Sequence, residues 1–287
     1  MTRTIQALRI CQQKLRRNKV RRMRLVATEA CRRADNGAEF MQRIQRETGL
    51  KLEIIKPEEE AQLAVISCAP LVNRKTHNLL VVDIGGGSTE LVWIDISKVP
   101  KADRAQSIMR LHGGFYQAKT DIPAARVVPL GVATLRDQFS DVEDDAARFA
   151  LMSWFFEENL TDFTPYQSTQ SQDHFQIVGT SGTVTTVAAS HLGLKRYDRT
   201  KVDGLRMSSA QIDKVIHSYL AMGPAGRRAD PRIGQDRQAL IMSGAAILQA
   251  LMRCWPTNRL SVADRGLREG LLYAQMSADG VLEEGLS

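Results

Sequence analysis

Asp83 closes an apolar run, Leu79-Leu80-Val81-Val82, and is followed by Gly85, Gly86 and Gly87, then Ser88, Thr89 and Glu90. A carboxylate at the end of a buried strand, next to three glycines, suits the binding of phosphate. A loop without side chains can approach a phosphate closely and aim several backbone N–H groups at it. Asp83 and Glu90 add hard oxygen ligands of the kind Mg²⁺ takes together with phosphate oxygens. The plainer reading is a glycine-rich hairpin turn with unrelated acids, but a hairpin does not need three glycines in a row. The stretch is neither a dinucleotide fingerprint, which needs G-x-G-x-x-G, nor a P-loop, which ends in Gly-Lys-Ser/Thr.

A second stretch, Val178-Gly179-Thr180-Ser181-Gly182-Thr183-Val184, ends a strand in a small turn that opens a helix. Such a turn offers unsatisfied N–H groups and the positive end of the helix dipole to an anion. A hydrolase elbow reads G-x-S-x-G, whereas this stretch reads G-T-S-G-T, so Ser181 is not expected to be a nucleophile. The third stretch is Pro57-Glu58-Glu59-Glu60-Ala61. Acids in a first helical turn are the ordinary answer to the macrodipole. Placed shortly before the glycine loop, however, they could supply a general base at a cleft between domains.

The elements that must hold these residues follow from periodicity. Helices are expected over 4–17, over 38–48 with Gly49 as the C-terminal glycine, and from Pro57 through Ala69. Short strands are expected at 23–27 and 52–55. Leu79–Ile84 reads as a strand buried on both faces, and Leu91–Ile94 returns beside it. Ser107–Leu111 and Val127–Leu130 read as further strands. Beyond these come a helix over 146–159, a polar loop over 161–173, a strand at 176–178 and a helix over 183–192 closed by Gly193. Helices near 209–221 and 236–252, a strand at 260–263 and a helix over 267–276 complete the pattern. Strands first grouped and then alternating with helices indicate an α/β fold.

Composition narrows the partners. A charged fraction of 25% and a hydrophobic fraction of 43% are those of an ordinary globular protein, which sets disordered classes aside. An aromatic fraction of 6% argues against a base-stacking surface for single-stranded nucleic acid. The net charge of +7 favours an anionic partner. Much of it lies between Met1 and Arg33, where eleven basic residues face only Glu29. That run reads either as a solvated helix face or as a basic lip for a polyanion. Cys11, Cys31, Cys68 and Cys254 form no C-x-x-C pair, which suggests reduced thiols and no zinc site. Without an apolar stretch near ~18 residues or a signal-like N-terminus, no membrane association or export is expected, and the location is expected to be cytoplasmic.

The stretches D-I-G-G-G-S-T-E-L (Asp83–Leu91), P-E-E-E-A (Pro57–Ala61), G-T-S-G-T (Gly179–Thr183) and D-R-G-L-R-E-G (Asp264–Gly270) occur together. In combination they resemble the exopolyphosphatase / guanosine pentaphosphate phosphohydrolase (Ppx/GppA) family. The resemblance implies an actin-like (ribonuclease H-like) α/β fold of two domains, here 1–68 and 69–287. It implies phosphate contacts from Gly85, Gly86, Gly87, Ser88, Gly179, Thr180, Ser181, Gly182 and Thr183, and Mg²⁺ held by Asp83 and Glu90. The family's water-activating glutamate matches Glu60, and its phosphate-contacting arginine, in a T-x-x-x-R-x-A element, matches Arg32. The implied reaction is attack of water on a terminal phosphoryl group of polyphosphate or of guanosine penta/tetraphosphate, tying the chain to the stringent response. A homodimer is compatible with it, and a nucleic-acid partner is not expected. One departure is the D-x-G-S/T-N-S loop with which the family opens. It is missing here, as though roughly a quarter of a typical two-domain chain were absent and the N-terminal domain truncated. That departure leads to an expectation of lowered stability or self-association, and keeps open a phosphate- or nucleotide-binding protein without turnover. A superfamily kinase or ATPase is the third reading. Lys56-Pro57 also replaces the family's usual Ser-Gly before the acids.

Overall fold

A computed structural model describes residues 1–111, 121–166 and 174–282. It divides into two compact units, Met1–Glu60 and Ala61–Ser287.

Unit 1 contains α1 (Thr2–Arg17), β1 (Val26–Ala27), α2 (Glu29–Arg33), α3 (Gly37–Thr48) and β2 (Glu53–Ile54). The first turn of α4 (Pro57–Cys68) closes it. β1 and β2 pair in parallel, Val26 with Glu53 and Ala27 with Ile54. The expected strands at 23–27 and 52–55 shrink to these two-residue pieces, too short to form a larger sheet by themselves. α3 stops where its sequence says it should. Gly49 takes φ 70° and donates its N–H to Gln45 O at 2.8 Å, a conformation that carries little penalty for glycine.

Unit 2 is built on one six-stranded sheet in the order β5-β4-β3-β6-β8-β7. Its strands are β3 (Asn78–Ile84), β4 (Thr89–Asp95), β5 (Asp121–Val128), β6 (Phe175–Thr180), β7 (Arg206–Met207) and β8 (Leu260–Ala263). β3, β6 and β8 run parallel, while β4, β5 and β7 run antiparallel to their neighbours. Leu79, Leu80, Val81 and Val82 are all buried, so β3 is covered on both faces as its unbroken apolar run requires. The helices are α5 (Arg104–Met109), α6 (Val132–Gln138), α7 (Asp145–Glu158), α8 (Gly182–His191), α9 (Arg199–Val202), α10 (Ser209–Ala229), α11 (Ile241–Cys254) and α12 (Leu267–Ala278). Leu80, Val82 and Leu91 of the sheet join Phe156, Val187, Tyr219 and Ile247 of α7, α8, α10 and α11 in one apolar core. α12 packs against α4, where a Cβ on Gly270 would stand 2.0 Å from Leu63 O. The α/β class is therefore the one expected.

Several local expectations are corrected. Ser107–Leu111 is not a strand, because Ser107, Ile108 and Met109 lie in α5. Arg104, Ser107, Ile108 and Leu111 are buried at helical spacing, a period that outweighs the local run of apolar residues. The strand expected at 127–130 ends at Val128, before Pro129, which has no N–H for a ladder. α10 continues to Ala229, across a break at Gly223 (φ 63°) before Pro224, beyond the helix expected to stop at 221. α11 begins at Ile241 rather than at 236. Of the loop expected over 161–173, Thr161–Tyr166 forms a 3-10 turn and the rest lies outside the described residues. None of the four cysteines is in a disulfide, and among the described residues no helix is long and apolar enough to cross a membrane.

Candidate phosphate-binding site

Strand register assembles the site from distant parts of the sequence. Asp83 lies directly opposite Glu90 across the β3–β4 pair and opposite Thr180 across the β3–β6 pair. Thr180 in turn lies opposite Ala263 of β8. Directly opposed residues share a face of the sheet. A carboxylate pair and the start of the G-T-S-G-T turn therefore meet at the carboxyl ends of the parallel strands, where open α/β sheets bind ligands. Glu90 is buried and Asp83 half-buried. Ser88 Oγ donates to Glu90 Oε1 at 2.5 Å, which ties the end of the glycine loop to that carboxylate.

The glycine loop is held by its carbonyls. Val132 N donates to Gly85 O at 3.0 Å and Ala133 N to Gly86 O at 2.8 Å. Thr134 Oγ1 lies 3.3 Å from Gly87 O. The bonds from Val132 and Ala133 use N–H groups that the first turn of α6 would otherwise leave unsatisfied. Gly85 N donates to Ser88 O at 2.9 Å, whereas the N–H groups of Gly86, Gly87 and Ser88 have no acceptor among the described residues. The result is a loop fixed from behind with backbone donors to spare, the arrangement an anion needs. Gly131 makes this possible, since a Cβ there would stand 2.5 Å from Gly85 O and from the Gly86 carbonyl carbon.

The second turn is built differently. Ser181 caps α8, and its Oγ accepts from Thr183 N (3.1 Å) and Val184 N (3.2 Å). Its backbone sits at φ 151°, ψ 171°, a region that glycine populates and serine rarely does. Strain of this kind persists only where the surroundings enforce it. Gly179 lies so close to Val184 that a Cβ would come within 3.2 Å of both methyl carbons. Thr180 Oγ1 donates to Arg265 O. A cavity of about 230 Å³ opens between the two turns, walled by Gly85, Gly86, Val132, Gly182, Thr183 and Arg237.

Glu60 and Arg32 lie together in unit 1. Arg32 Nη2 donates to Glu60 Oε2 at 2.8 Å and to Glu29 Oε2 at 3.0 Å, while Nη1 donates to Ile55 O at 2.7 Å. Burial pulls the Arg32 pKa down, but the hydrogen bonds to Glu60 and Glu29 outweigh it, and the group stands above its ordinary value. Glu59 pairs instead with Arg24. Two of the three consecutive acids therefore have different arginine partners, a division that helix capping alone does not require. In the D-R-G-L-R-E-G stretch, Arg265 pairs with Asp203 at 2.8 Å and Glu269 Oε2 accepts the Gly266 N–H at 3.0 Å, so it frames α12.

Sequence reasoning missed Gly131 with α6, and Arg237. Leu130-Gly131-Val132 carried a readable sign in its glycine before a helix-compatible run. Arg237 carried none.

Sheet order and this carboxyl-edge site place the molecule among α/β proteins of the actin-like, ribonuclease H-like class. The chain belongs to the Ppx/GppA phosphatase family, whose sequence model matches residues 1–279. A guanosine-5'-triphosphate,3'-diphosphate pyrophosphatase of Aeromonas salmonicida is 27% identical over 278 residues, 95% of this chain and 49% of that protein. An exopolyphosphatase 1 of Mycobacterium tuberculosis is 25% identical over 261 residues, 88% of this chain and 67% of that protein. The chain thus spans about half the length of the Aeromonas relative. Among solved structures, the Ppx/GppA family member of Aquifex aeolicus superposes with a TM-score of 0.75 at 29% identity, covering 100% of this chain and 82% of its own.

Proposed function

We propose that the chain is a phosphohydrolase that removes the terminal phosphoryl group of polyphosphate or guanosine pentaphosphate. The observation that carries this reading is the glycine loop, with three N–H groups lacking an acceptor among the described residues and the Asp83–Glu90 pair beside it. The names of the Aeromonas and Mycobacterium relatives point to the same two substrates.

In this reading water attacks the terminal phosphorus, the bridging P–O bond breaks, and orthophosphate leaves a chain one unit shorter. Glu60 takes the proton from the attacking water, held in place by its hydrogen bond to Arg32. Backbone N–H groups of Gly86, Gly87 and Ser88 stabilise charge on the transferred group, and positioning supplies most of the acceleration. Among the described residues no cluster of three or more His, Cys, Asp or Glu could hold a metal alone. Two carboxylates nevertheless suit Mg²⁺, which keeps several waters and completes its shell with substrate oxygens. Asp83 and Glu90 would hold it, and it would neutralise phosphate charge.

The test is phosphate release from polyphosphate with Mg²⁺, by this chain and by Glu60→Gln. Release should fall by about 10²–10⁴-fold in the variant while polyphosphate binding persists. An unimpaired variant would remove Glu60 as the base. Binding without release by the unaltered chain would instead leave a phosphate-binding protein.

A further inference from the structure

Unit 1 has a surface that the reading of the glycine loop does not use. On the inner side of α1, Ile5 is buried, Leu8 and Leu15 are half-buried, and the Gln12 side chain donates to Thr48 O of α3. Arg3, Ile10, Lys14 and Arg17 follow one another at seven, four and three residues, a spacing that gathers them on the opposite side of the helix. All four are exposed, Ile10 by 55%. An aliphatic side chain thus stands in the middle of a row of cations.

The turn after α1 continues the pattern. Lys19 takes φ 51°, and the N–H groups of Lys19 and Val20 donate to Arg16 O and Leu15 O, both at 3.0 Å. Those bonds close the helix with a fixed left-handed turn rather than a frayed end. Val20 and Met23 remain exposed beside Lys19 and Arg21. A cavity of about 770 Å³ opens there, with Leu15, Val20 and Met23 among its walls together with Arg16, Lys19 and Arg21.

These cations are uncommitted. Arg9 pairs with Glu47, but Arg3, Lys14, Arg16, Arg17, Lys19 and Arg21 form no ion pair among the described residues. From Met1 to Thr28 there is no Asp or Glu against nine Lys and Arg. Met1–Glu60 holds 15 Lys and Arg and 8 Asp and Glu, a surplus equal to the net charge of +7 of the whole chain. Unit 2 is therefore balanced, and the excess belongs to unit 1.

The exposed aliphatic residues select among anionic partners. A soluble polyanion gains from the cations but nothing from Ile10, Val20 and Met23, and no aromatic side chain precedes Phe40 for a base to stack on. An anionic bilayer surface uses both kinds of residue. Its phosphates attract the cations while aliphatic side chains enter the boundary between headgroups and acyl chains. We propose that α1 and the turn after it adsorb to an anionic lipid surface, with Ile10, Val20 and Met23 inserted and Arg3, Lys14, Arg17, Lys19 and Arg21 on headgroup phosphates. The proposal revises the expectation of no membrane association. That expectation rested on the lack of a spanning segment, whereas adsorption needs only a face.

The experiment is co-sedimentation of the full chain with vesicles of equimolar phosphatidylglycerol and phosphatidylcholine, and with vesicles of phosphatidylcholine alone. Binding is expected to the first and not to the second, and raising salt from about 0.1 M to about 1 M should release most of the protein. Lys14→Glu combined with Arg17→Glu should weaken binding by at least about 25-fold, since each basic residue near such a surface contributes about fivefold. Ile10→Asn should weaken it by about 10-fold at unchanged charge. The same variants titrated with polyphosphate and with a short DNA duplex separate a lipid surface from a soluble polyanion, because Ile10→Asn should leave both of those unchanged. Thermal melts establish that the variants, all on an exposed face, are folded. An unaltered chain that ignores the phosphatidylglycerol vesicles overturns the proposal, as does equal binding to both kinds of vesicle. Full vesicle binding by Ile10→Asn, with loss only in the charge-reversed variant, overturns it too, since the face would then be a general collector of polyanions.

Discussion

In Met1–Glu60 the buried apolar side chains are Ile5, Ile44, Leu50 and Ile55, whereas unit 2 surrounds its sheet with a continuous core from Leu80 to Val262. Unit 1 relies more on charge. Arg9–Glu47 (3.0 Å), Arg24–Glu53 (2.6 Å) and Arg32–Glu60 (2.8 Å) link its pieces, and Arg43–Glu47 (2.7 Å) lies within α3. Exposed ion pairs such as Arg9–Glu47 and Arg24–Glu53 contribute about 0–1 kcal/mol each, while burying one large apolar side chain contributes about 1.5–3 kcal/mol. The two regions thus hold their candidate site residues with different firmness. Unit 2 fixes backbone donors on a rigid sheet edge, as the proposed phosphate loop would need. Unit 1 sets Arg32 and Glu60 by side-chain pairing on short elements, from which local opening should begin.

The sharpest way to break this comparison is to disturb the backbone of unit 2. Gly131→Val puts a side chain against Gly85 O and the Gly86 carbonyl carbon, both 2.5 Å from an ideal Cβ, and neither can move without shifting the loop. A loss of about 1–3 kcal/mol in denaturant unfolding is expected, together with loss of orthophosphate binding by calorimetry. A variant that binds as well as the parent would show that the loop is not held through α6.

Ser181 sharpens the same side. Ser181→Ala removes the cap of α8 while leaving a side chain at φ 151°, and should destabilise by about 1 kcal/mol. Ser181→Gly relieves the strain and loses only a few tenths of a kcal/mol of capping, so it should melt no lower than the parent. If both melt equally low, the backbone there is not strained.

The smallest effect belongs to unit 1. Arg24→Met removes pairs with Glu53 and Glu59 and should cost less than about 1 kcal/mol. Raising salt from about 0.1 M to about 1 M should speed amide exchange in α1–α3 while leaving β3 and β4 protected, because screening acts on exposed pairs. Equal sensitivity of both units would erase the distinction between them.

Much of this was legible beforehand. The glycine loop, the caps at Pro57 and Gly49 and the strand at Leu260–Ala263 were readable because each depends on neighbours in the chain. The α5 segment was misread because a stretch as short as Ser107–Leu111 does not reveal its period without knowing which side is buried. The turn at Thr180 was readable from its small residues, but its position opposite Asp83 depends on a register between strands far apart in sequence.

By itself, then, the amino-acid sequence determined the local chemistry: which turns could expose N–H groups, which carboxylates stood beside them and which runs had to be buried. Those are consequences of side-chain shape and polarity over a few residues. Tertiary structure alone decided that α6 would clamp the glycine loop and that Arg237 would lie on Gly182, 55 residues away. Contacts of that reach depend on how packed helices and strands bring surfaces together, and no local pattern encodes the meeting point.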